Sequence, residues 1–296
     1  MINKILLTID VEDWFQVENF KPYIPVDSWE RREKRVEENT RRILDILDSA
    51  EVANGRPEAT FFMLGWLAER MPGMVREIAD RGHEVGSHGY AHELCSAQTP
   101  AALESDLIRS KKLLEDLVGK PVAGYRAPSF SISDDILGAI SSAGYRYDAS
   151  YNSFGMNHRY GRVRLNGHPR SGVAFRMGAD FWELPVSNLR MGKRILPWAG
   201  GGYFRLLPGP VFRRGIRSIL NRDGVYSFYM HPWEIDPDQP RVVQASRLSR
   251  FRHYLNLERT EPRVRAILRH FRDAEFRTCL GYLREVAPDF PAGEKA

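Results

Sequence analysis

The chain has 296 residues, of which 43% are hydrophobic and 27% charged, and a net charge of +5. These proportions are typical of a folded protein with one large domain or two modest ones, and the two cysteines exclude a disulfide-stabilised scaffold. No apolar run reaches the ~18 residues of a transmembrane helix, and no basic block with interleaved aromatic residues points to nucleic acid. The first apolar run is too short for a signal peptide, which favours a cytoplasmic location and leaves association with a membrane open.

Strands and helices alternate from the beginning of the chain. Lys4–Ile9 is an apolar run that predicts a buried strand, and apolar residues at helical spacing follow in Val36–Leu47. Glu58–Met63 predicts a second strand. Pro72–Gly82 predicts a helix that ends at its glycine, and His83–Gly86 a third strand.

The alternation continues to residue 148. Thr99-Pro100 has the order of an N-cap and a first helical residue, so it predicts the start of a helix. Val122–Tyr125 and Tyr145–Asp148 are predicted strands on either side of a helix at Asp134–Ser142. Strands that alternate with helices of about a dozen residues indicate a parallel sheet, either a barrel or an open doubly wound sheet.

The composition changes after residue 150, where glycine, proline, arginine and aromatic residues dominate up to residue 210. Short strands are predicted at Val173–Arg176 and Phe181–Pro185, and a stronger strand at Val225–Met230. Thr260 and Pro262 are predicted to cap the last helix. Neither a low-complexity linker nor an internal repeat interrupts the chain, which favours one domain with an elaborated C-terminal part.

Polar residues that could carry chemistry follow the predicted strands, where α/β folds place their sites. Asp10, Glu12 and Asp13 come directly after the first strand, and carboxylates this close repel one another unless a cation holds them together. His88 and His92 follow the third strand at a spacing that puts two imidazoles on one face of a helical turn. A carboxylate and two histidines, with open positions left for water, are the ligands of a hydrolytic metal site.

Three further segments contain candidate residues. Arg126 ends the fourth predicted strand and is well placed to pair with a carboxylate of the first segment. Asp148 and Trp182 either line a groove for sugar rings or serve packing and turns. His231 ends the last strong strand, where it is either a general acid or a structural histidine.

Taken in order, five segments resemble the polysaccharide deacetylases with a NodB-like homology domain, of the carbohydrate esterase family 4 type. The segments read TIDVED, SHGYAH, RAPSF, YDASY and FYMHPWE. The resemblance spans residues 3–235 and implies an α/β fold, a distorted (β/α) barrel of about seven parallel strands. The first motif departs from the family's usual pair of adjacent aspartates, because Val11 follows Asp10.

The match is closer to one branch, the deacetylases found beside exosortase (PEP-CTERM) exopolysaccharide gene clusters. TIDVEDWFQVENF, GGGYFRLLP, HPWEIDPDQPR and FRHYLNLERTE carry this likeness. The branch has a C-terminal extension, which here would span residues 236–290 and pack on the barrel. The resemblance therefore implies exopolysaccharide biosynthesis in a Gram-negative bacterium, with the biosynthesis machinery as a partner.

The resemblance also implies roles for single residues. A divalent metal, with zinc as the first choice, would be held by Glu12, His88 and His92. We favour Glu12 over Asp13 because alternation along an extended strand end places residues 10 and 12 on one side. Asp13 stays open as the alternative ligand.

The remaining roles describe a hydrolysis. Asp10, oriented by Arg126, would take the proton from water, and His231 would protonate the departing amine. The residues expected to contact the sugar are Pro128, Phe130, Asp148, Trp182 and Trp233. The predicted function is hydrolysis of the N-acetyl group of an N-acetylhexosamine in a polysaccharide, which releases acetate. Two alternatives stay open: hydrolysis of peptidoglycan or a small cyclic amide at the same site, and a glycan-binding protein with a relic site.

Overall fold

The structure, a computed structural model, describes residues 2–155 and 159–290. The strands are β1 Lys4–Val11, β2 Ala59–Met63, β3 Glu84–Ser87, β4 Gly124–Tyr125, β5 Tyr147–Asp148, β6 Arg170–Ser171, β7 Ala174–Arg176, β8 Trp182–Glu183, β9 Asn188–Met191, β10 Arg194–Pro197, β11 Val225–Met230 and β12 Glu275–Phe276. The α-helices are α1 Val36–Asp48, α2 Gly65–Arg70, α3 Pro72–Asp80, α4 Pro100–Val118, α5 Asp134–Ser142, α6 Gly201–Leu206, α7 Gly209–Asp223, α8 Arg247–Tyr254, α9 Thr260–His270 and α10 Cys279–Val286.

Parallel strands run side by side through the central sheet in the order β11-β1-β2-β3-β4-β5-β8. From β1 to β5 each strand lies next to its successor in the chain. In a doubly wound sheet, by contrast, the order of the strands reverses part-way across the sheet. The strand order therefore decides for barrel-type winding, and the predicted distorted barrel is confirmed. The sheet is curled but open. β7 and β6 continue antiparallel from β8, and no pairing among the described residues joins β6 to β11.

The two faces of the sheet bury different cores. Ile5 and Ile9 of β1 pack into the main core, together with residues of α1, α3, α4, α5, α7 and α9. Leu6 points the other way, into a smaller core that contains residues of β2, β5, β8 and α10. Since side chains alternate along a strand, Asp10 shares the face of Leu6. The candidate carboxylate therefore lies on the side of the sheet opposite the main helical layer.

A helical C-terminal extension is present, as predicted. Its strand β12 pairs with the first residues of β1, so the extension adds a strand to the central sheet. Its last helix covers the smaller core: the N–H of Cys279 donates to Thr60 Oγ1 over 2.8 Å, and that of Leu280 to Glu84 Oε2 over 3.0 Å. These bonds hold α10 against β2 and β3. The proposed domain boundary at residue 236 stays a prediction.

Helix α7 is a long element that the sequence pattern above does not predict. Its buried residues Phe212 and Ile216 do recur at helical spacing. Pro210 and Gly215 obscure that signal, because both residue types normally interrupt helices. Gly215 is needed here, since a Cβ atom at this position would lie 2.0 Å from Nε1 of the Trp198 ring.

The predicted cap of α9 is wrong. The helix begins at Thr260 with Arg259 as its N-cap, and the Thr260 hydroxyl donates to the carbonyl of Asn256 over 3.3 Å. Thr260 is itself the first helical residue, so it does not occupy the N-cap position, and among the described residues no side-chain hydrogen bond caps this helix. The reason is the short 3-10 turn Leu257–Arg259, which leads directly into α9.

The structure also shows the state of the two cysteines and the character of the helices. Cys95 and Cys279 are buried and free. Within residues 2–155 and 159–290, no helix combines the length and the apolar character needed to cross a bilayer.

Candidate active site

The candidate residues converge at the carboxyl ends of neighbouring parallel strands. Asp10 and Glu12 lie at the end of β1, His88 directly after β3, Arg126 after β4 and His231 after β11. Parallel strands place their carboxyl ends at one edge of the sheet, which is where α/β barrels build their sites. Residues more than two hundred positions apart in the chain therefore meet in one place.

Asp10 and Arg126 form a buried ion pair. Arg126 Nη1 lies 2.7 Å from Asp10 Oδ1 and 2.6 Å from Thr8 Oγ1, and Arg126 Nε donates to the carbonyl of Ala149 over 3.0 Å. Only 1% of Arg126 and 3% of Asp10 is exposed, so the guanidinium is held without freedom to turn. Of the two carboxylate oxygens of Asp10, only Oδ1 takes part in the ion pair. A carboxylate fixed and charge-balanced in this way is suited to accept a proton.

Glu12, His88 and His92 form a compact group that could hold a metal ion. One ligand atom from each lies within 4.8 Å of the others. Glu12 Oε1 is 3.2 Å from His88 Nε2 and 3.0 Å from His92 Nε2. His88 Nδ1–H donates to the carbonyl of Arg126 over 2.7 Å, which turns Nε2 towards Glu12 as the nitrogen available to a metal.

The electrostatics of the group favour an ionised Glu12. Burial by itself would raise the pKa of this carboxyl. The charges of His92 and His231, with hydrogen bonds from His88 and His92, outweigh burial and hold the Glu12 pKa well below its usual value. An anionic oxygen beside two imidazole nitrogens is a donor set that suits zinc and similar divalent ions.

Asp13 faces away from this group. Its Oδ1 accepts from the N–H of Trp14 over 2.8 Å, and its Oδ2 accepts from the N–H groups of Arg35 and Val36 over 2.8 and 3.1 Å. Those last two groups lie at the beginning of α1, where backbone donors lack partners within the helix. Both oxygens of Asp13 are thus occupied, and the carboxylate beside the histidines is Glu12.

His88 and His92 meet through a loop, which corrects the expected helical turn. Gly89 has a φ of 73° and His92 a φ of 52°, both left-handed. The carbonyls of Gly89 and Tyr90 accept from the N–H groups of Gly65 and Trp66 at the beginning of α2, each over 2.8 Å. The loop is therefore held by α2, and the left-handed backbone brings the two ring centroids to 5.3 Å.

His231 lies at the rim of the same group. Its Nε2 is 3.6 Å from Glu12 Oε1, and 20% of its side chain is exposed, which keeps it reachable from solvent. Its Nδ1–H donates to Glu234 Oε1 over 2.8 Å. Burial lowers the pKa of His231, but the charge of Glu12 and the hydrogen bond with Glu234 outweigh it and raise the pKa to about 9. A cationic imidazole at this position can donate a proton.

His231 is supported by Trp233 and by three residues that the sequence analysis did not single out, His253, Glu234 and Arg205. Trp233 is stacked between His231 and His253, with ring centroids 5.2 and 4.1 Å away. Arg205 Nε donates to Glu234 Oε2 over 2.7 Å. A glutamate three residues after a helix-starting residue is a recognisable capping pattern, so Glu234 could have been found from the sequence. No local sequence pattern predicts the contact between Arg205 and Glu234.

Pro128 and Phe130 lie beside the candidate site but are buried. Phe130 is 5% exposed, and its ring packs edge-on against Tyr229 and Tyr160, with centroids 4.9 and 5.3 Å away. Ser129 and Phe130 both have left-handed backbone, with φ of 51° and 59°. This tight turn returns the chain towards the strand ends. A direct contact of Pro128 and Phe130 with substrate stays a prediction.

The other three residues expected to contact the sugar are also buried, and their contact with substrate stays a prediction. Asp148 is fully buried, and its oxygens accept from the N–H and the hydroxyl of Ser150, each over 2.9 Å. Trp182 is 3% exposed and packs in the smaller core. Trp233 is 5% exposed because His231 and His253 cover its two faces. A strand-end position indicates proximity to the site, and it does not determine which way a side chain points.

The two halves of the chain match two family models. Residues 23–147 match the family described as Polysaccharide deacetylase, and residues 149–282 match a Domain of unknown function (DUF3473). The first half of the chain is therefore similar to the polysaccharide deacetylases.

Curated proteins that are similar to this chain are named peptidoglycan deacetylases. The peptidoglycan deacetylase of Helicobacter pylori is 34% identical over 128 residues, which are 43% of this chain and 43% of that protein. A peptidoglycan-N-acetylglucosamine deacetylase of Bacillus cereus is 34% identical over 107 residues, 36% of this chain and 47% of that protein. The chain thus spans less than half the length of these relatives.

Solved structures resemble the whole chain. A candidate polysaccharide deacetylase from Mycobacterium smegmatis has a TM-score of 0.62 at 18% identity, over 99% of this chain and 93% of that one. Puue allantoinase has a TM-score of 0.58 at 12% identity, over 95% of this chain and 89% of that one. At these identities the likeness shows the fold alone.

Proposed function

We propose that this protein hydrolyses the N-acetyl group of an N-acetylhexosamine in a bacterial exopolysaccharide or its precursor and releases acetate. The observation that carries the proposal is the convergence of a complete set of groups at one edge of the sheet. This edge holds Asp10 paired with Arg126, the Glu12–His88–His92 group, and His231 with its Nε2 3.6 Å from Glu12 Oε1.

The metal in this proposal is a divalent cation, zinc in the first instance, held by Glu12, His88 and His92. The donor set fits such an ion, because one carboxylate oxygen and two imidazole nitrogens converge and His88 presents its lone pair through Nε2. When bound, the metal supplies Lewis-acid chemistry, which polarises an amide carbonyl and makes water more acidic.

The protein's own residues divide the proton transfers between them. Asp10 accepts a proton from the attacking water, and Arg126 holds its carboxylate in place. His231 donates a proton to the amine as the C–N bond breaks, since an amine is a poor leaving group unless it is protonated. Glu234 holds Nδ1 of His231, which directs Nε2 towards the reacting group.

An exopolysaccharide substrate is supported by the likeness of the acidic motif and the HPWE segment to exosortase-associated deacetylases. In this setting we place the protein in the cytoplasm or at the membrane, beside the exopolysaccharide biosynthesis machinery. Peptidoglycan is a second candidate substrate, because the curated relatives at 34% identity are named peptidoglycan deacetylases. Both candidates share the acetamide bond and differ in the sugar chain that carries it.

The first test is acetate release from N-acetylglucosamine oligomers and from peptidoglycan fragments, with the metal content assayed in parallel. We expect wild-type activity that a chelator abolishes and zinc restores. Asp10→Asn keeps its metal and loses about 100- to 10,000-fold in rate, as expected for a general base. His88→Ala loses both metal and activity, because the group loses one of its ligands.

Asp116→Asn is the matched control for Asp10→Asn, since it makes the same substitution at an exposed position on α4. It should behave as wild type. A folded, zinc-loaded wild type that releases no acetate from either glycan would contradict the proposed function. Full activity of Asp10→Asn would contradict the assignment of the base.

A further inference from the structure

A cationic cavity lies on the outer surface, on α7 and the end of α9. It has a volume of about 160 Å³ and is lined by Pro210, Arg213, Arg214, Arg217 and His270. We call it the arginine cavity. None of these residues belongs to the candidate active site.

The positive charge of the arginine cavity has no counter-charge within the described part of the chain. No carboxylate lines it, and neither Arg213 nor Arg214 forms an ion pair there. Arg217 Nη2 donates to His270 Nε2 over 2.8 Å, so the imidazole takes part as a neutral acceptor. Burial lowers the pKa of His270, and the charges of Arg213 and Arg217 lower it further. Three arginine side chains clustered at one place on the surface favour the binding of an anion there.

The surrounding sequence is basic over a long distance. Every charged residue between Glu183 and Asp223 is a lysine or an arginine. Every acidic or permanently basic residue between Asp238 and Glu258, a segment that includes α8, is an arginine. The two segments touch, because Arg205 donates to the carbonyl of Arg252 over 3.2 Å. Two neighbouring segments of the chain therefore carry basic charges only, and the three arginines of the cavity belong to the first of them.

Exposed apolar side chains accompany this charge. Leu206 and Val211 lie on either side of the turn before α7 and are 51% and 42% exposed. Phe251 of α8 is 57% exposed, next to the Arg252 carbonyl that Arg205 contacts. Arginines with neighbouring exposed aliphatic and aromatic residues are the pattern of a surface that lies in the headgroup region of a bilayer.

We propose that the arginine cavity binds the phosphate headgroup of an anionic phospholipid, with Leu206 and Val211 entering the bilayer surface beside it. Charge complementarity selects an anion, and the apolar rim selects a lipid over a dissolved phosphate or an acidic glycan. This inference does not depend on the proposed deacetylase activity.

The test is sedimentation of the full chain with vesicles of phosphatidylcholine alone and of phosphatidylcholine mixed equally with phosphatidylglycerol. We expect binding to the mixed vesicles only. Replacing Arg213, Arg214 and Arg217 together by glutamine should lower the partition coefficient about 100-fold. The matched control replaces Lys112, Lys120 and Arg146, exposed residues outside this surface, by glutamine and removes the same charge. It should keep binding largely intact.

A second pair of measurements distinguishes binding of a lipid headgroup from binding of dissolved phosphate. Leu206→Ser with Val211→Ser should weaken binding to mixed vesicles and leave the calorimetric affinity for inorganic phosphate unchanged. The proposal is overturned if the triple arginine variant binds mixed vesicles as well as wild type does. It is equally overturned if the control variant loses as much binding, or if wild type binds soluble alginate and not the vesicles.

Discussion

At the scale of single residues, neighbouring carboxylates have different surroundings. Glu12 Oε1 lies among imidazole nitrogens, whereas both oxygens of Asp13 accept from backbone N–H groups at its own turn and at the beginning of α1. Both residues directly follow β1, and their side chains face different neighbours. Alternation predicted Glu12 as the metal ligand, and the contacts of Asp13 support that prediction.

This contrast predicts different losses for two conservative substitutions. Glu12→Gln should lower zinc affinity at least tenfold without a comparable loss of stability, because an amide lacks the charge of a carboxylate ligand. Asp13→Asn should keep its zinc and cost about 1 kcal/mol in the free energy of unfolding, as for the loss of a helix N-terminal acceptor. Zinc titration and urea unfolding of both variants measure the two effects. The opposite pattern, with zinc lost only in Asp13→Asn, would make Asp13 the ligand.

At the scale of elements, the C-terminal extension supports the candidate acid. Arg205 of α6 donates to Glu234 Oε2, and the same guanidinium donates to the carbonyls of His253 and Leu255 in the extension, each over 2.8 Å. Arg205 is thus a positioning residue, which links α6, the turn after β11 and the end of α8. Gly201 permits this approach, because a Cβ there would lie 2.2 Å from the Glu234 carboxylate.

We expect Arg205→Ala to slow amide hydrolysis about tenfold or more, because a displaced Glu234 no longer holds His231 in position to donate its proton. Hydrolysis of an aryl acetate should change little, since a phenolate leaves without protonation. Arg205→Lys should restore part of the amide rate. The readout is the ratio of amide to ester rates, which a general loss of folding would not shift.

Arg263→Ala is the matched control. Arg263 Nη1 donates to the carbonyls of Phe204, Arg205 and Leu207, so it holds the same region without touching Glu234. It should lower stability and leave the ratio of amide to ester rates unchanged. If Arg205→Ala lowers both rates equally, Arg205 has only a structural role.

At the scale of the whole molecule, the free energy of unfolding should depend on the neutral form of His83. This residue is 2% exposed, and its Nδ1 accepts from the N–H of Ala59 over 3.3 Å, which only the neutral ring can do. Burial and the charges of Arg56 and Arg81 lower the pKa of His83 to about 4, against an opposing contribution from Asp48. The folded protein therefore resists protonation of a ring that becomes charged near pH 6.5 when unfolded.

The direction of the pH dependence of stability follows from the lower pKa of His83 in the folded protein. Because the folded pKa is depressed, the stabilisation is complete above about pH 6.5 and is lost as the pH falls towards about 4. The free energy of unfolding of wild type, relative to His83→Gln, should fall by about 2–3 kcal/mol across this interval. Urea unfolding of both proteins at several pH values measures it. A constant difference between them would show that His83 is not the group that titrates.

The order of elements was largely predictable from the sequence, and the site only in part. The strands up to residue 148 are marked by apolar runs that end in acid, glycine or arginine, and parallel strands bring such ends together whatever their distance along the chain. Asp10, His88, Arg126 and His231 could be grouped on this basis alone. Helix α7 was missed, since its glycine is explained only by Trp198, a contact that no local pattern contains.

The sequence by itself determined that this protein is a parallel α/β structure with carboxylate, histidine and arginine side chains at its strand ends. Periodicity and strand-end position are local properties, so they can be read from neighbouring residues. The tertiary structure decided that Glu12 lies beside the histidines, that Asp148 and Trp182 are interior, and that Glu234 and Arg205 hold His231. Burial and hydrogen-bond partners depend on elements far away in the chain, and these partners set the charge and orientation of each group.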